Sequence, residues 1–450
     1  MLGKYRTLIE CGSGLVGRIL FAMGICCWRG HPASRYTARW RCAYPEILRC
    51  EQYKRFPMKR PIYLDNNSTT QLDPQVLDSM AHVLGHHYGN PSSSTHAFGW
   101  AASQLVEDAR SHVASIIGAR PEEITFTSGA TESNNLAIKG LFLRSSKENP
   151  AKTFKVTSAR TEHRAVLGVL ESLVRVGCAA SFLDCDSLGR INPKDLQQDL
   201  FMGTDLVTLM LANNETGLIH PIEEVASTIA DTKALLHCDA TQAVGKIPVE
   251  VGKLGVDLMS FSSHKLYGPK GVGALYTKNT YPRIELEPLI EGGSQEKGLR
   301  AGTLCVASIV GFGKACQIAS ACIEQESKRI AELKSKLIAG LKERISGFEV
   351  NSALDQDKVL PGTVNISFDG VDAISLIGQV SSRLALSTSS ACTSSLGKGS
   401  HVLEAMGLSK ERRRESLRIS LGRFSTEGEV REAVEVLGGG VERLRRKSWG

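Results

Sequence analysis

Three groups of polar residues directly follow short apolar stretches of the sequence. Gly129 and Ala130 come after "ITFT", Asp239 follows "LLHC", and Lys265 comes shortly after "LMSFS". A glycine turn that opens a helix presents free backbone amides to an anion. A buried carboxylate costs free energy unless it is paired, so Asp239 either caps a helix or binds a cationic partner. A lysine at a strand end is either exposed, or desolvated and able to act as a nucleophile.

Together these motifs match the anchors of one cofactor. Pyridoxal phosphate needs a lysine for its imine, an acid for its pyridine nitrogen and a cradle for its phosphate. Each motif alone has an ordinary structural explanation. Because all three follow strands, in the order cradle, Asp239, Lys265, the sequence predicts a pyridoxal-phosphate site.

A fourth candidate is Cys392, which lies in "STSSACTSS". Serines and threonines favour a loop there, and a cysteine acts as a nucleophile in its thiolate form. After residue 57 the sequence has no C-x-x-C pair and no Cys/His cluster at zinc spacing, so we expect reduced thiols and no fixed metal site. The cysteines with small or apolar neighbours, expected in the core, are Cys178, Cys185, Cys238, Cys305, Cys316 and Cys322.

The elements that position these residues alternate along the chain. From 74 to 320, short β-branched runs at 124–127, 206–211, 235–240, 258–262 and 272–277 are separated by helical stretches. This pattern predicts an α/β domain with a mostly parallel sheet. In such a sheet, ligands bind beyond the carboxyl ends of the strands, where the motifs lie. A helix over about 306–346 and a smaller α+β domain follow; that domain consists of 58–73 and 321–450.

Charge and hydropathy exclude two classes of partner. Residues 1–57 hold ten Lys or Arg and three Glu, which accounts for the net charge of +7. No basic stripe is left to bind nucleic acid, and the apolar stretch near the N-terminus is too short for a membrane span. Arginine enrichment in 1–57 is typical of a mitochondrial transit peptide. Alternatively, translation starts at Met58 and the protein is cytoplasmic.

Longer motifs identify a family. The strings "YLDNNSTT", "TSGATESNNLAIKG", "TEH", "NNETG", "DATQAVGK", "SFSSHKLYGPKG", "RAGT", "SSACTS" and "RISLGRF" resemble the cysteine desulfurases of the NifS/IscS type. These are class V aminotransferases with the fold-type I architecture of pyridoxal-phosphate enzymes. The resemblance runs from about Met58 to the C-terminus. It implies a large domain with a seven-stranded, mostly parallel sheet and a small domain that carries the catalytic cysteine loop.

The resemblance also implies how the cofactor is bound. Lys265 would form the imine, Asp239 would keep the ring nitrogen protonated, and Gln242 would hydrogen-bond the ring oxygen. His163 would stack on the ring and transfer protons. The residues expected to hold the phosphate are Ala130, Thr131, Ser262, His264 and, from the second subunit of a homodimer, Thr303.

By the same resemblance, the substrate is L-cysteine and the product is L-alanine. Asn214 would lie near the substrate carboxylate and the ring oxygen, and Arg418 would bind that carboxylate. The thiolate of Cys392 would take the sulfur as a persulfide. An iron–sulfur scaffold protein or another acceptor, such as one for tRNA thiolation, would receive it, and Cys392 could transiently ligate an iron–sulfur cluster. The segment 393–408 resembles the long loop of the scaffold-serving subclass.

The sequence departs from the family pattern at four serines. Ser263, Ser294 and Ser389 replace glycine, and Ser68 replaces alanine. If position 389 requires a positive φ, serine costs about 1 kcal/mol there. Such a cost affects the turnover rate and leaves the reaction type unchanged.

Three other functions were weighed. A selenocysteine lyase shares this fold and cofactor, but a selenolate needs less help from an enzyme thiol, so Cys392 favours the desulfurase. An aminotransferase would leave Cys392 without a role. An inactive structural or regulatory partner of a sulfur-transfer complex would not need Lys265, Asp239, His163 and Cys392 together.

Overall fold

A computed structural model of the protein describes residues 60–388 and 399–448, so Cys392 and Ser389 lie outside the described residues. The strands are β1 Ile62–Tyr63, β2 Ile124–Thr127, β3 Lys155–Ala159, β4 Ala179–Leu183, β5 Leu206–Met210, β6 Leu235–Asp239, β7 Leu258–Ser262, β8 Gly273–Thr277, β9 Phe348–Val350, β10 Thr363–Phe368, β11 Leu384–Ala385, β12 Ser387–Thr388 and β13 Ser416–Ser420. The helices are α1 Pro74–His86, α2 Ala97–Ser115, α3 Ala130–Glu148, α4 Arg164–Val174, α5 Leu196–Phe201, α6 Ile222–Ile229, α7 Val251–Leu254, α8 Val306–Arg344, α9 Ala373–Val380, α10 His401–Ala405, α11 Lys410–Glu415 and α12 Glu427–Ser448.

The larger sheet has seven strands in the order β2-β8-β7-β6-β5-β3-β4. Strand β8 is antiparallel to both of its neighbours, and the remaining pairs are parallel. The predicted mostly parallel sheet is therefore confirmed. Strands β2, β6 and β7 run in the same direction, so their carboxyl ends, at Thr127, Asp239 and Ser262, meet at one edge.

Both faces of this sheet are buried. Because successive side chains of a strand point to opposite faces, Leu206 and Val207 of β5 enter different apolar clusters. Leu206 belongs to the cluster that contains Leu136 of α3. Val207 belongs to the one that contains Val106 of α2 and Phe312 of α8. Burial on both faces explains the near-continuous apolar strands of the sequence.

The C-terminal half builds a second, four-stranded antiparallel sheet in the order β12-β13-β10-β9. Strand β1 pairs in parallel with β11, so Ile62 and Tyr63 lie beside Leu384 and Ala385. Helix α8 contributes Phe312 to the core of the large sheet and Leu337 to that of the small one. Because α8 continues through residue 320, the division into two domains there stays a prediction.

Within the part of the chain that the structure describes, α8 is the one helix long and apolar enough to cross a membrane by length and composition. Half of its most apolar window is buried, and it packs along α1, α2 and α12. Because a buried core helix passes the same test, this finding is weak evidence for a membrane span.

Two expectations are wrong. Cys305 precedes α8 and is exposed, whereas Cys178, Cys238 and Cys316 are buried as expected. Small neighbours in sequence do not reveal which side of a helix start faces the core. The segment 393–408 is not all loop, because α10 begins at His401 after Ser400, whose hydroxyl caps the helix at the Leu403 amide.

Candidate active site

A cavity of about 570 Å³ lies at the carboxyl edge of the large sheet. It brings together most of the residues expected to form the site. The expected residues that line it are Ala130, Thr131, His163, Asn214, Asp239, Gln242, Ser262, His264 and Lys265. Thr303 is exposed and lies outside this lining, and Arg418 lies behind it, bonded to two lining residues, as described below.

Asp239 ends β6 and is held by two donors. Its Oδ2 accepts a hydrogen bond from Asn134 Nδ2 at 2.7 Å, and its Oδ1 accepts one from the Thr241 amide at 3.0 Å. These two contacts fix the position of both carboxylate oxygens. The fully buried Asn134 was missed by the sequence reasoning, although it lies within "TESNN". Asp239 is thus arranged to bind a protonated ring nitrogen.

Lys265 ends a short turn after β7. Its Nζ donates to the backbone oxygens of Asn67, at 2.6 Å, and Ser68, at 2.7 Å. Two residues later Tyr267 adopts φ +67°, a conformation that costs free energy for a bulky residue. The Thr70 hydroxyl accepts from the Tyr267 amide at 2.8 Å and stabilises this turn. The segment that contains Asn67 and Ser68 therefore fixes Lys265 beside the cavity.

The turn between β2 and α3 forms an anion cradle. Gly129 has φ +152°, where a side chain is strained. The backbones approach so closely that a Cβ on Gly273 would lie 2.6 Å from the Gly129 Cα. Ala130 and Thr131 open α3, and free amides at a helix N-terminus bind phosphate. Glu132 also lines the cavity, but Arg300 neutralises its charge at 3.0 Å.

Two histidines face this cavity in neutral form. His163 caps α4, and its Nδ1 accepts from the Ala165 amide at 3.1 Å, which places the proton on Nε2. Burial lowers the pKa of His163, while the charge of Asp239 opposes the shift. Burial, together with the nearby positive charge of Lys265, lowers the pKa of His264 to about 4. Neutral rings suit stacking on a cofactor and donation to a phosphate oxygen.

The side-chain amide of Gln242 forms two hydrogen bonds inside the protein. Its Nε2 donates to the Asn67 backbone oxygen at 2.9 Å, and its Oε1 accepts from Lys246 Nζ at 2.6 Å. Lys246 also donates to Asn67 Oδ1 at 3.1 Å. Lys246 ends the motif "DATQAVGK", but the sequence alone assigns it no role. The sequence sign of this contact is the spacing of Gln242 and Lys246, because side chains four residues apart in a helical turn can contact each other.

Arg418 lies in β13 and is 3% exposed. Its Nη1 donates to the Asn214 backbone oxygen at 2.9 Å, and its Nη2 donates to Asp65 at 2.7 Å and to Ser68 at 2.8 Å. Within the described residues its Nε is buried without a hydrogen-bond partner. Because Asn214 and Ser68 line the cavity, the guanidinium stands directly behind the wall.

The described serines that replace glycine do not strain the backbone. Neither Ser263 nor Ser294 has a positive φ. Ser263 is fully buried, and a Cβ on Gly268 would lie 2.0 Å from its hydroxyl oxygen, so Gly268 leaves the room that the serine fills. Among the residues described, that hydroxyl has no hydrogen-bond partner. A buried hydroxyl without a hydrogen-bond partner lowers the free energy of unfolding by about 1–3 kcal/mol.

The residues present fit pyridoxal phosphate. The cradle before α3 fits its phosphate, and Asp239, already bonded to Asn134, fits a protonated pyridine nitrogen. Lys265 lines the same cavity, as does Gln242, which fits a ring oxygen.

Comparison with known proteins gives consistent matches. The model of the family described as aminotransferase class-V matches residues 62–432. The chain is 45% identical, over 392 residues, to "Cysteine desulfurase, mitochondrial" of Arthroderma benhamiae, which covers 86% of this chain and 76% of that relative. It is 44% identical, over 391 residues, to "Cysteine desulfurase IscS" of Anaeromyxobacter dehalogenans, covering 87% and 95%.

Solved structures agree. A structure titled "NIFS-LIKE PROTEIN" superposes with a TM-score of 0.78 and 35% identity, over 85% of this chain and all of that one. The structure titled "SspA in complex with cysteine" superposes with a TM-score of 0.70 and 33% identity, over 81% of this chain and 99% of that one.

Proposed function

We propose a function from one premise: this chain belongs to the aminotransferase class-V family, and within it to the cysteine desulfurases of the NifS/IscS type. It converts L-cysteine to L-alanine with pyridoxal phosphate and transfers the sulfur through Cys392. The observation that carries this proposal is the convergence of Lys265, Asp239 and the cradle before α3 on one cavity.

Bound pyridoxal phosphate supplies an electron sink for the bond that breaks at the substrate's α-carbon. The chain's own groups do the rest. Asp239, held by Asn134 and Thr241, would bind the ring nitrogen of the cofactor. The Lys265 amine takes the α-proton and later returns a proton. His163, with its proton on Nε2, donates into the same cavity.

Arg418 orients the substrate. A guanidinium binds a carboxylate through two parallel hydrogen bonds, and the buried Nε of Arg418 is free of partners among the described residues. Asp65 and Ser68 both accept hydrogen bonds from its Nη2 and hold the guanidinium in place. Asn214, whose backbone oxygen accepts from Arg418, lines the same cavity.

Cys392 completes the sulfur transfer. Its thiolate attacks the substrate sulfur, the carbon–sulfur bond breaks, and the electron pair of that bond stays with the carbon skeleton, which becomes alanine after protonation. The products are alanine and a persulfide on Cys392. A thiol acceptor then takes the outer sulfur and restores the cysteine, and with excess thiol the sulfur leaves as sulfide.

The test is alanine and sulfide production from L-cysteine with added thiol. The protein and Cys305→Ala, which removes an exposed thiol, should turn over equally, whereas Cys392→Ala should not. Equal activity of Cys392→Ala would contradict the persulfide step. Release of selenide from selenocysteine, without sulfide from cysteine, would instead make the protein a selenocysteine lyase.

A homodimer is the proposed assembly. Tyr88, Phe98 and Trp100 are 75%, 55% and 60% exposed, and the rings of Tyr88 and Phe98 lie 5.4 Å apart. Exposed apolar clusters of this kind mark interaction sites. Thr303 directly precedes Leu304, which lines a second cavity of about 490 Å³. In the proposed homodimer, Thr303 of each subunit would bind the cofactor phosphate of the other subunit. A monomeric active species in light scattering would contradict this assignment.

The sulfur acceptor is proposed to be a protein thiol, such as that of an iron–sulfur scaffold.

Residues 1–57 are proposed to be a leader: relatives named mitochondrial match at 43–45% identity, and the family model begins at residue 62. Fluorescent fusions of the chain with and without 1–57 test the location. A mitochondrial signal that disappears with 1–57 would support targeting, and a cytoplasmic signal for both would support a start at Met58.

The two sheets, with separate apolar cores, are proposed to form two domains. Residues 74–320 would bind the cofactor. Residues 58–73 with 321–450 would carry the Cys392 loop. Hydrogen exchange should protect the two cores to different extents, and a single uniform protection level across both would contradict the division.

A further inference from the structure

Lys246 lies beside the active site, but the mechanism above does not use it. It follows Gln242 by four residues, after β6, and its Nζ donates to Gln242 Oε1 at 2.6 Å and to Asn67 Oδ1 at 3.1 Å. Lys246 does not line the active-site cavity; it borders a small crevice on the other side of Asn67. Lys246 therefore supports the cavity wall from behind.

The side-chain nitrogens of Asn67 and Gln242 both donate to nearby oxygens, and Lys246 binds the two side-chain oxygens. The Asn67 amide nitrogen donates to the Asn214 backbone oxygen at 3.2 Å and to the Thr363 hydroxyl at 2.9 Å. The Gln242 amide nitrogen donates to the Asn67 backbone oxygen at 2.9 Å. The Asn214 and Asn67 backbone oxygens can only accept, so the side-chain oxygens Asn67 Oδ1 and Gln242 Oε1 must face away from them. Both side-chain oxygens face Lys246.

Lys246 is the donor that these two oxygens require. An amine has at least two N–H groups in either protonation state, and here each one meets an oxygen. Burial, followed by the charges of Lys265 and Arg418, lowers the pKa of Lys246 well below its ordinary range. Without Lys246, two amide oxygens would lose their donor, and the contact with the Asn67 backbone oxygen alone would hold the Gln242 amide in its orientation.

We propose that Lys246 is a positioning residue that makes Gln242 present an N–H, and not an oxygen, to the ring oxygen of the cofactor. This inference rests on the proposed function, because it requires pyridoxal phosphate in the cavity. An N–H stabilises an oxygen anion on the ring, whereas an amide oxygen would repel it. Lys246 thus acts on the cofactor through Gln242, whose Oε1 accepts its hydrogen bond.

The test is a double-mutant cycle on cofactor binding and on the pH titration of the cofactor's visible absorbance band. Lys246→Met should weaken pyridoxal-phosphate binding about tenfold, the effect of one hydrogen bond to a charged group. It should also raise the pH midpoint of the band by about one unit, because the ring oxygen keeps its proton to higher pH. In a Gln242→Ala background, Lys246→Met should change neither quantity further.

Lys253→Met is the matched control, because Lys253 is exposed and pairs with Glu250 on the surface; it should leave both quantities unchanged. Lys246→Arg keeps donors and should restore most of the midpoint. If Lys246→Met does not fold by circular dichroism, Lys246→Gln carries the same cycle. An undisturbed midpoint, or equal shifts with and without Gln242, overturns the proposal. A natural protein that shows no visible band would instead overturn the proposed function.

Discussion

Asn134 donates from Nδ2 to Asp239 Oδ2 at 2.7 Å, although the two residues are separated by 105 positions in the chain. Asn134 is fully buried, and Asp239 is 5% exposed. Together with the Thr241 amide at 3.0 Å, this contact fixes the position of a buried carboxylate. The group expected to bind the cofactor's ring nitrogen is therefore oriented by a residue of α3.

Asn134→Ala should weaken pyridoxal-phosphate binding about tenfold or more, because a hydrogen bond to a charged group contributes about 1.5–3 kcal/mol. The measurement is a titration of cofactor-free protein with pyridoxal phosphate. Asn135→Ala is the control, since Asn135 bonds only within its own helix, at 2.9 Å to the Thr131 backbone oxygen. Equal affinities of the two variants would contradict the role given to Asn134.

Arg418→Lys should raise KM for cysteine about a hundredfold and change kcat less, because lysine keeps the charge but not the planar fork that binds a carboxylate. The measurement is the initial rate of alanine formation at varied cysteine concentration. Arg414→Lys, at an exposed pair with Asp372, should leave KM unchanged. A fall in kcat at constant KM would show that Arg418 does not bind the substrate.

Glu215 makes stability depend on pH. Burial raises its pKa to about 7, against the opposing effects of the Ser400 hydrogen bond and the charge of Arg418. A carboxyl whose pKa is higher in the folded state stabilises it when protonated. That contribution is complete below the unfolded pKa of about 4.3 and is lost as the pH rises through about 7.

Glu215→Gln removes this titration while leaving a side-chain oxygen for Ser400. The free energy of unfolding of the natural protein, relative to Glu215→Gln, should fall by on the order of 3 kcal/mol between pH 4 and pH 8. Urea unfolding at several pH values measures it, with Glu223→Gln on the surface of α6 as the control. A difference that stays constant with pH would contradict the assignment.

Arg423 links three parts of the fold. It donates to Asp73 at 2.9 Å and to Glu326 at 2.8 Å, and its guanidinium lies 4.2 Å from the centre of the Tyr267 ring. Each member of the two ion pairs is about a tenth exposed. Arg423→Met leaves two nearly buried carboxylates unpaired and should destabilise the protein by about 3–5 kcal/mol.

The matched variant is Arg164→Met, which breaks an exposed pair with Glu171 and should cost about 0–1 kcal/mol. Urea unfolding of both variants at one pH provides the comparison. Equal losses would show that the Arg423 contacts are no stronger than surface ion pairs.

The sequence predicted the parts of the fold that local pattern determines. Strands β2 and β7 match the runs 124–127 and 258–262, because buried strands read as short apolar runs between polar turns. The position of Lys265 and Asp239 at one edge followed from parallel strand order. The antiparallel direction of β8 was not predicted, since the apolar pattern of a strand carries no direction.

The supporting residues of the site were not predictable in the same way. Asn134 and Lys246 act on partners that are distant in the chain, Asp239 and Asn67, and polar residues on a helix or turn give no local sign of such contacts. Cys305 was wrongly placed in the core for the same reason, because exposure at the start of α8 depends on what packs there.

The most direct test of sulfur transfer through Cys392 is the mass of the tryptic peptide 384–398 after brief exposure of the protein to L-cysteine. We expect a gain of about 32 Da, one sulfur atom, on Cys392. The gain should be absent in Lys265→Ala and absent from the peptide 301–314 that contains Cys305. An unchanged mass on Cys392 while alanine forms, or an equal gain on Cys305, would contradict the account.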